Sequence, residues 1–266
     1  MFISLAKRFG KKVILHEHAA DFVEYYSASD NKDGIRSTLN KCDRLIVLSK
    51  SWQDCFASIG VAKNKIKVLN NIVSPPELHP EFHTGDGKLH LLYMGEISKR
   101  KGGFDLLKAV ADHKDQFEGK LLLRMGGNEV DGDIKSFIRE HSLESIVTYE
   151  GWIAGQKKIE CLNWEDVYIL PSYNEGLPIA SLEAMAYHHP VISTPVGGIP
   201  EMLKDGYNGR MVQPGDAGGI AKAICDYIED KDSIKSQGEN AYKVVQPFFP
   251  ESVFASLKEI YQELLA

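Results

Sequence analysis

The sequence predicts an α/β fold built from two doubly wound domains with parallel sheets. From Lys88 onward, short apolar runs alternate with amphipathic stretches at helical spacing, which is the pattern of a doubly wound sheet. A polar, Pro-rich stretch at residues 74–87 precedes this region and is typical of an interdomain linker. We therefore predict a first domain at 1–74, a linker at 75–87, a second domain at 88–248 and a C-terminal helix at 249–266.

The first 74 residues are few for a whole nucleotide-binding domain. Residues 2–10 predict the end of a helix that stops at Gly10, and Ser49 is expected to cap a helix that continues through Phe56. Short apolar runs predict three strands, at 12–15, 44–48 and 65–69. Because a nucleotide-binding α/β domain usually takes about 150 residues, we expect the first domain to be incomplete.

The second region alternates strands and helices regularly. Strands are expected at 89–94, 120–125, 146–149, 166–170, 190–193 and 209–212. Helices are expected at 102–113, 132–141 and 156–163, and further helices follow from Asp216 to the end of the chain.

The stretch around residues 166–190 predicts a strand, a loop and a helix. Pro178 suits the first helical turn, where its missing N–H costs nothing, and Pro190 ends the helix. Four apolar side chains recur at helical spacing and should face the sheet: Ile179, Leu182, Met185 and Ala186. A helix that starts at 176–178 directs unpaired N–H groups into the loop, so we predict an anion site there.

Two carboxylates, Glu175 and Glu183, bracket this helix start. A rise of 1.5 Å per residue places them about 12 Å apart or more, whereas the acid and nucleophile of a glycosidase lie within about 5 to 10 Å. The spacing therefore argues against an acid and base pair. It favours two separate hydroxyl contacts on a long ligand with phosphate between them, which describes a nucleotide-sugar.

An ordered set of motifs resembles the donor-binding domain of family-four retaining glycosyltransferases, also called glycosyltransferase group 1, which have the GT-B fold. The motifs are Glu175-x7-Glu183 inside Asn-Glu-Gly-Leu-Pro-x-x-x-Leu-Glu-Ala-Met-Ala, Pro190-Val-Ile, Gly197-Gly198-Ile-Pro-Glu201, Asp205-Gly-x-Asn-Gly209 and Pro214-Gly-Asp216. The alternative is an ordinary α/β helix with two solvated glutamates. Another GT-B enzyme, such as a sugar-nucleotide epimerase or phosphorylase, fits the motifs less well.

The resemblance implies two Rossmann-like domains, of which the N-terminal one lacks its opening strands and glycine-rich loop. It also implies that the last helix crosses back onto the first domain. Either the chain is a truncated product, or a neighbouring polypeptide supplies the missing acceptor half. The alternative function is a non-catalytic or truncated nucleotide-sugar-binding module that needs the missing acceptor half.

The resemblance assigns catalytic roles to three residues. Glu175 would bind hydroxyls of the donor sugar, and His18 would face the sugar from across the cleft, with His16 as the second match. Lys101, in a Lys-Gly pair that the family shares, would neutralise the diphosphate. Glu96 stands where the family has an arginine, so Lys99 or Arg100 would substitute for that missing cation.

The donor-binding residues implied by the resemblance are Glu183, Gly176, Leu177, Pro178, Ile153 and Gly95. Glu183 would bind the ribose hydroxyls, and N–H groups around Gly176 and Leu177 would contact the diphosphate. Main-chain groups near Ile153 would hold the nucleobase, whereas Trp152 is expected to pack in the core.

No metal or cofactor is expected. His16 and His18 form an H-x-H pair without a third ligand nearby, and Asp131-Gly-Asp133 is typical of a turn and helix cap. The four cysteines are scattered, so reduced thiols are expected. In the family, the leaving phosphate accepts the proton of the acceptor, so neither a separate base nor a metal is required.

Charge and hydropathy restrict the partners. The net charge of -6 argues against a general nucleic-acid binder. Residues 1–75 hold 12 Lys+Arg and 7 Asp+Glu, and this basic excess fits either a solvated face or an anionic acceptor or membrane surface. No apolar run approaches a membrane span. The resemblance implies a hexosyltransferase of polysaccharide or cell-envelope synthesis, cytoplasmic or peripheral at the inner face of the membrane, with a nucleotide-sugar donor and a saccharide or lipid-linked acceptor.

Overall fold

A computed structural model describes residues 2–76 and 86–265 and contains two parallel sheets. The first sheet has the order β1-β2-β3, with strands β1 (Ile14–His16), β2 (Arg44–Val47) and β3 (Ile66–Val68). The helices around it are α1 (Phe2–Arg8), α2 (Phe22–Ala28), α3 (Lys32–Lys41) and α4 (Lys50–Ser58).

The second sheet has six strands in the order β6-β5-β4-β7-β8-β9. They are β4 (Leu89–Met94), β5 (Leu121–Gly126), β6 (Val147–Gly151), β7 (Val167–Leu170), β8 (Val191–Ser193) and β9 (Gly209–Met211). The helices are α5 (Gly103–Asp112), α6 (Lys114–Phe117), α7 (Ile134–Glu140), α8 (Gln156–Trp164), α9 (Ile179–Ala186), α10 (Ile199–Met202), α11 (Ala217–Glu229), α12 (Lys231–Val245) and α13 (Pro250–Leu265).

This architecture confirms the predicted α/β fold with parallel sheets. Every strand pair is parallel, and each predicted strand lies within two residues of the observed one. Strand order reverses between β4 and β7, the central neighbours of the second sheet. Ligands of open α/β sheets bind at such a reversal, beyond the carboxyl ends of the strands.

The core of the second sheet confirms most of the predicted burial on α9. Leu182, Met185 and Ala186 are fully buried, but Ile179 is 48% exposed, so the expectation that Ile179 faces the sheet is wrong. The helix begins at Ile179, with Pro178 at the N-cap rather than inside the first turn. Ile179 therefore lies beyond the end of β7, where the sheet no longer covers it.

The last helix, α13, packs on the first sheet through a small apolar cluster. Val253 and Ile260 of α13 are buried against Ile46 of β2 and Leu69. Most of the predicted linker, residues 77–85, lies outside the described residues, and the predicted domain limits stay predictions. Within residues 2–76 and 86–265, no helix combines the length and the apolar character needed to span a bilayer.

At the start of β7 a carboxylic acid is buried without hydrogen bonds. Glu165 is 1% exposed, and neither of its carboxyl oxygens has a hydrogen-bond partner among the described residues. Burial, and then the charge of the neighbouring Asp166, raise the pKa of Glu165 well above its ordinary value. Glu165 therefore keeps its proton to a higher pH in the folded chain than in the unfolded chain.

This retained proton predicts a stability that falls as pH rises. From the unfolded pKa of about 4.3 up to the raised folded pKa, the free energy of unfolding should lose about 1.4 kcal/mol per pH unit through this one group. Glu165→Gln removes this titrating group. The free energy of unfolding of the variant, measured with urea between pH 5 and 8, should therefore fall less steeply with pH than that of the parent chain. The control is Glu160→Gln, which changes an exposed glutamate on α8. Parallel curves for the parent and Glu165→Gln would contradict the assignment.

Candidate functional site

A cavity of about 480 Å³ lies at the carboxyl ends of the strands, with walls from both sheets. His18 and Asn71 line it from the first sheet's region, and Arg100, Lys101 and Glu175 line it from the second. The loops after β4 and β7 supply Arg100, Lys101 and Glu175, and Asp21 adds a carboxylate from the segment after β1. Because these strands are neighbours at the point where strand order reverses, the cavity occupies the predicted position.

A buried ion pair joins the two loops. Lys101 Nζ lies 2.6 Å from Glu175 Oε1, and Ser172 Oγ donates to the same oxygen at 2.7 Å. Glu175 is only 4% exposed, so its charge needs these partners to offset the cost of desolvation. A lysine ammonium has three donors, so Lys101 can bind Glu175 and still donate to an anion in the cavity.

The first turn of α9 forms the adjoining wall. Gly176, Leu177 and Pro178 line the same cavity as Lys101, directly before the helix starts at Ile179. The first N–H groups of a helix have no partner within it, and the helix dipole is positive at this end. A cation and a helix N-terminus thus face one space, which suits a phosphate.

The loop that holds Glu175 rests on a second loop, and glycine makes this possible. Gly198 N donates to Gly176 O at 2.7 Å. Gly197 has φ +55°, and a Cβ at this position would overlap the carbonyl oxygen of Glu175. The Gly197-Gly198 pair therefore sets the position of the Glu175 backbone.

A second cavity, of about 420 Å³, shares Lys101, Pro178 and Ile179 with the first. Its other walls include Gly95 and Trp152. The two cavities therefore meet at Lys101 and the start of α9.

Trp152 corrects an expectation from the sequence. It is 67% exposed and lines the second cavity, so the prediction that it packs in the core is wrong. Gly151 ends β6 with φ +65° and turns the chain, after which Ile153, and not Trp152, points inward and packs over Gly126. Ile153 is 9% exposed.

Of the two cations proposed to replace the family's arginine, Arg100 is the one beside the cavity. It lines the first cavity, its Nη2 lies 3.8 Å from Glu96 Oε1, and its Nη1 donates to Asn174 O at 3.4 Å. Lys99 does not contribute to the walls of either cavity, and its N–H donates to Asp131. Glu96 itself lines the second cavity.

Glu183 lies apart from Glu175. Its Oε1 pairs with Lys158 Nζ at 2.6 Å, and it lines a third cavity of about 560 Å³ together with Ile159 and Tyr187. The structure thus separates the two glutamates, as the spacing predicts. Contact between Glu183 and a ribose stays a prediction.

His16, the last residue of β1, and His18 have ring centroids 4.1 Å apart, with the ring planes tilted by 47°. His18 lines the first cavity opposite Glu175. Burial, and then the charge of His18, lower the pKa of His16.

Both carboxylates of the Asp131-Gly-Asp133 turn accept hydrogen bonds from main-chain N–H groups. Asp133 caps α7 by accepting the N–H of Ser136 at 2.9 Å, and Asp131 accepts the N–H of Lys99 at 2.7 Å. Among the residues that the structure describes, no group of three or more His, Cys, Asp or Glu side chains has an arrangement that could hold a metal ion.

Three side chains that hydrogen-bond between the two halves of the chain were not predicted to do so. Asn71 Nδ2 donates to Leu177 O at 2.7 Å, and Asn174 Nδ2 donates to Ala20 O at 2.9 Å. The carboxylate of Glu201 accepts two N–H groups from the start of α4. These side chains bind main-chain groups far away in sequence, so no local spacing could reveal the contacts. Of the three, Glu201 lies in the motif Gly197-Gly198-Ile-Pro-Glu201.

A family model described as glycosyl transferases group 1 matches residues 76–244 of the chain. Among relatives, the uncharacterized glycosyltransferase MJ1069 of Methanocaldococcus jannaschii is 25% identical over 99% of this chain and 71% of its own length. The amylovoran biosynthesis glycosyltransferase AmsK of Erwinia amylovora is 24% identical over 96% of this chain and 64% of its own length. The chain spans 57% of the putative colanic acid biosynthesis glycosyltransferase WcaL of Salmonella typhimurium, at 26% identity over 84% of this chain.

Solved structures confirm the fold. Alr3699/HepE of Anabaena, in complex with UDP and glucose, superposes with a TM-score of 0.78 at 19% identity, covering 100% of this chain and 74% of that one. Sucrose-phosphate synthase of Thermosynechococcus elongatus gives a TM-score of 0.81 at 23% identity, covering 98% and 70%. The GT-B architecture implied by the motifs is thereby confirmed.

Gly197→Ala tests the contact that positions Glu175. A residue with a Cβ costs about 1–2 kcal/mol in the left-handed region, and here the Cβ also overlaps the Glu175 carbonyl. Gly119→Ala is the matched control, because Gly119 follows α6 with φ +73° and has nothing within 4 Å of an added Cβ. Gly197→Ala should lower the Tm more than Gly119→Ala in calorimetry. Equal decreases in Tm would show that Gly197 is needed only for its own left-handed backbone conformation, and not for the contact with Glu175.

Proposed function

Because the chain belongs to the glycosyl transferases group 1 family, we propose that it transfers a sugar from a nucleotide-sugar to a saccharide or lipid-linked acceptor, with retention of anomeric configuration. The observation that carries the proposal is the meeting of two cavities at Lys101 and the N-terminus of α9. A nucleotide-sugar is a long ligand with a diphosphate between two uncharged ends. Two cavities with a cationic join suit such a ligand.

The diphosphate would lie at this join. Lys101 donates charge-assisted hydrogen bonds, and the first N–H groups of α9 add the positive end of a helix dipole. Arg100, at the wall of the first cavity, is the further cation within reach of that space. Glu96 opposes phosphate binding, and the proximity of Arg100 to Glu96 reduces that opposition.

The sugar would occupy the first cavity between Glu175 and His18. A carboxylate held by Ser172 and Lys101 has its oxygens fixed before the ligand arrives, so it can accept sugar hydroxyls without reorganising. His18 would contact the sugar from the opposite wall. Both side chains would therefore position the anomeric carbon relative to the acceptor.

The nucleoside would occupy the second cavity. Trp152 and Ile179 expose apolar surface there, which suits a ring system, and main-chain groups near Ile153 and Gly95 would select the base. Glu183, which lines the third cavity on the same helix, would bind the ribose hydroxyls by turning away from Lys158 toward the second cavity.

The chemistry proposed is departure of the nucleoside diphosphate from an oxocarbenium-like sugar. The leaving phosphate oxygen would accept the proton of the acceptor hydroxyl on the same face, so the new bond retains configuration. Catalysis would then consist of stabilising the diphosphate charge and holding the acceptor, without a metal ion.

The biological setting proposed is polysaccharide or cell-envelope glycan synthesis. The names of the relatives from Erwinia amylovora and Salmonella typhimurium refer to amylovoran and colanic acid. As the resemblance implies, the donor would be met in the cytoplasm and a lipid-linked acceptor at the inner face of the membrane.

Lys101→Ala should weaken UDP binding by about 1.5–3 kcal/mol, the value of a hydrogen bond to a charged group. The loss also leaves Glu175 unpaired and repelling phosphate, which acts in the same direction. Titration calorimetry with UDP and with GDP measures the affinity. Lys99→Ala is the control, since Lys99 is a neighbouring cation that does not line either cavity. Similar effects of both substitutions would indicate only a general field of positive charge.

The function itself is tested by incubating the chain with UDP-sugars and GDP-sugars and measuring the nucleoside diphosphate released, with and without saccharide acceptors. Proton NMR of the product reports whether the α or β configuration of the donor persists. Release that depends on Glu175 and Lys101 supports the proposal. Tight UDP binding without release would instead indicate a donor-binding module, and inverted product would exclude the retaining route.

A further inference from the structure

Glu201 joins the two halves of the chain. We call residues 2–76 the first lobe and residues 86–249 the second lobe. Glu201 lies in α10 of the second lobe, and its carboxylate accepts the N–H of Lys50 at 2.9 Å and the N–H of Ser51 at 2.7 Å. These are the first residues of α4 in the first lobe.

The contact is exposed, and two features of the helix start favour it. Both N–H groups lie in the first turn of α4, where they have no partner within the helix and where the helix dipole favours negative charge. Hydrogen bonds to a carboxylate are also charge-assisted. The helix already has its own cap, because Ser49 Oγ accepts the N–H of Trp52. Glu201 therefore adds a contact from the other lobe that α4 does not need merely to begin.

The same point of α4 is connected to the loop that holds Glu175. Ser51 Oγ donates to Gly197 O at 2.9 Å, and the next residue, Gly198, donates its N–H to Gly176 O at 2.7 Å. A short chain of hydrogen bonds thus runs from α4 to the residue beside Glu175.

On the first lobe, the contact leads back to the wall opposite Glu175. Strand β2 ends three residues before α4 begins and pairs with β1, which ends two residues before His18. Glu201 therefore holds the strand pair that places His18, while its own loop supports Glu175.

We propose that Glu201 is a positioning residue that keeps the two lobes closed around the first cavity. When its contact with α4 breaks, His18 moves away from Glu175, although Lys101 and the start of α9 remain together in the second lobe. The expected loss of kcat rests on the proposed function. The expected separation of the two lobes does not.

The test uses the full chain and three variants. Glu201→Ala removes both hydrogen bonds, and Glu201→Gln keeps the shape and one acceptor oxygen but removes the charge. Asp216→Ala is the matched control, because Asp216 caps α11 within the second lobe by accepting the N–H of Gly219 and does not reach α4. Three measurements are made on each: the distance between the lobes, the Kd for UDP, and the kcat for sugar transfer or donor hydrolysis.

The distance is measured by pulsed electron resonance between spin labels at Lys63→Cys and Lys222→Cys, whose side chains are 73% and 74% exposed. Cys55→Ser and Cys225→Ser remove the partly exposed native thiols. Glu201→Ala should lengthen and broaden the distance distribution, lower kcat at least tenfold and change the Kd for UDP less than twofold. Glu201→Gln should fall between the parent and Glu201→Ala, and Asp216→Ala should match the parent in all three.

An unchanged distance distribution in Glu201→Ala overturns the proposal, whatever happens to activity. If Glu201→Ala does not fold, Glu201→Gln decides the matter by the same measurement. A lengthened distance with unchanged kcat would refute the positioning role of Glu201 in catalysis, although Glu201 would still hold the two lobes together. A parent chain that releases no nucleoside diphosphate from any donor would refute the proposed function. The distance measurement would still test whether Glu201 holds the two lobes together.

Discussion

The buried ion pair between Lys101 and Glu175 is the contact on which the rest of the site depends. Each partner comes from the loop after a central strand, and the two strands are neighbours only because strand order reverses between them. A carboxylate that is 4% exposed would be costly without a cation, so the pair fixes both loops at once. The cation that compensates Glu175 is also the one best placed for a bound phosphate.

The loops can approach this closely because glycines remove side chains at the points of contact. Gly102, with φ +68°, lies at the start of α5 against the carbonyl of Pro171. Gly197, with φ +55°, lies in the same way against the carbonyl of Glu175. The site is thus assembled from main-chain surfaces packed together, with Lys101 and Glu175 projecting from them. Variation at the cavity walls, such as Glu96 or Trp152, can then change the ligand without disturbing that frame.

The elements that the sequence predicted well were those with strong local signals. Continuous apolar runs located the strands within two residues, and the Glu175-Gly176 loop, where an anion site was predicted, lines a cavity. Helical spacing alone could not show that Ile179 lies past the end of β7, nor could composition show that Gly151 turns Trp152 outward. The choice between Lys99 and Arg100, the Glu183–Lys158 pair and the Glu201 contact depend on long-range packing, which no window of sequence contains.

The most direct test of the site is a crystal structure of this chain with UDP bound. We predict a β-phosphate within hydrogen-bond distance of Lys101 Nζ and facing the first turn of α9, with the uracil ring beside Trp152 in the second cavity. UDP bound in the third cavity near Tyr187, or bound without contact to Lys101, would contradict the central claim that the two cavities meet at a diphosphate site.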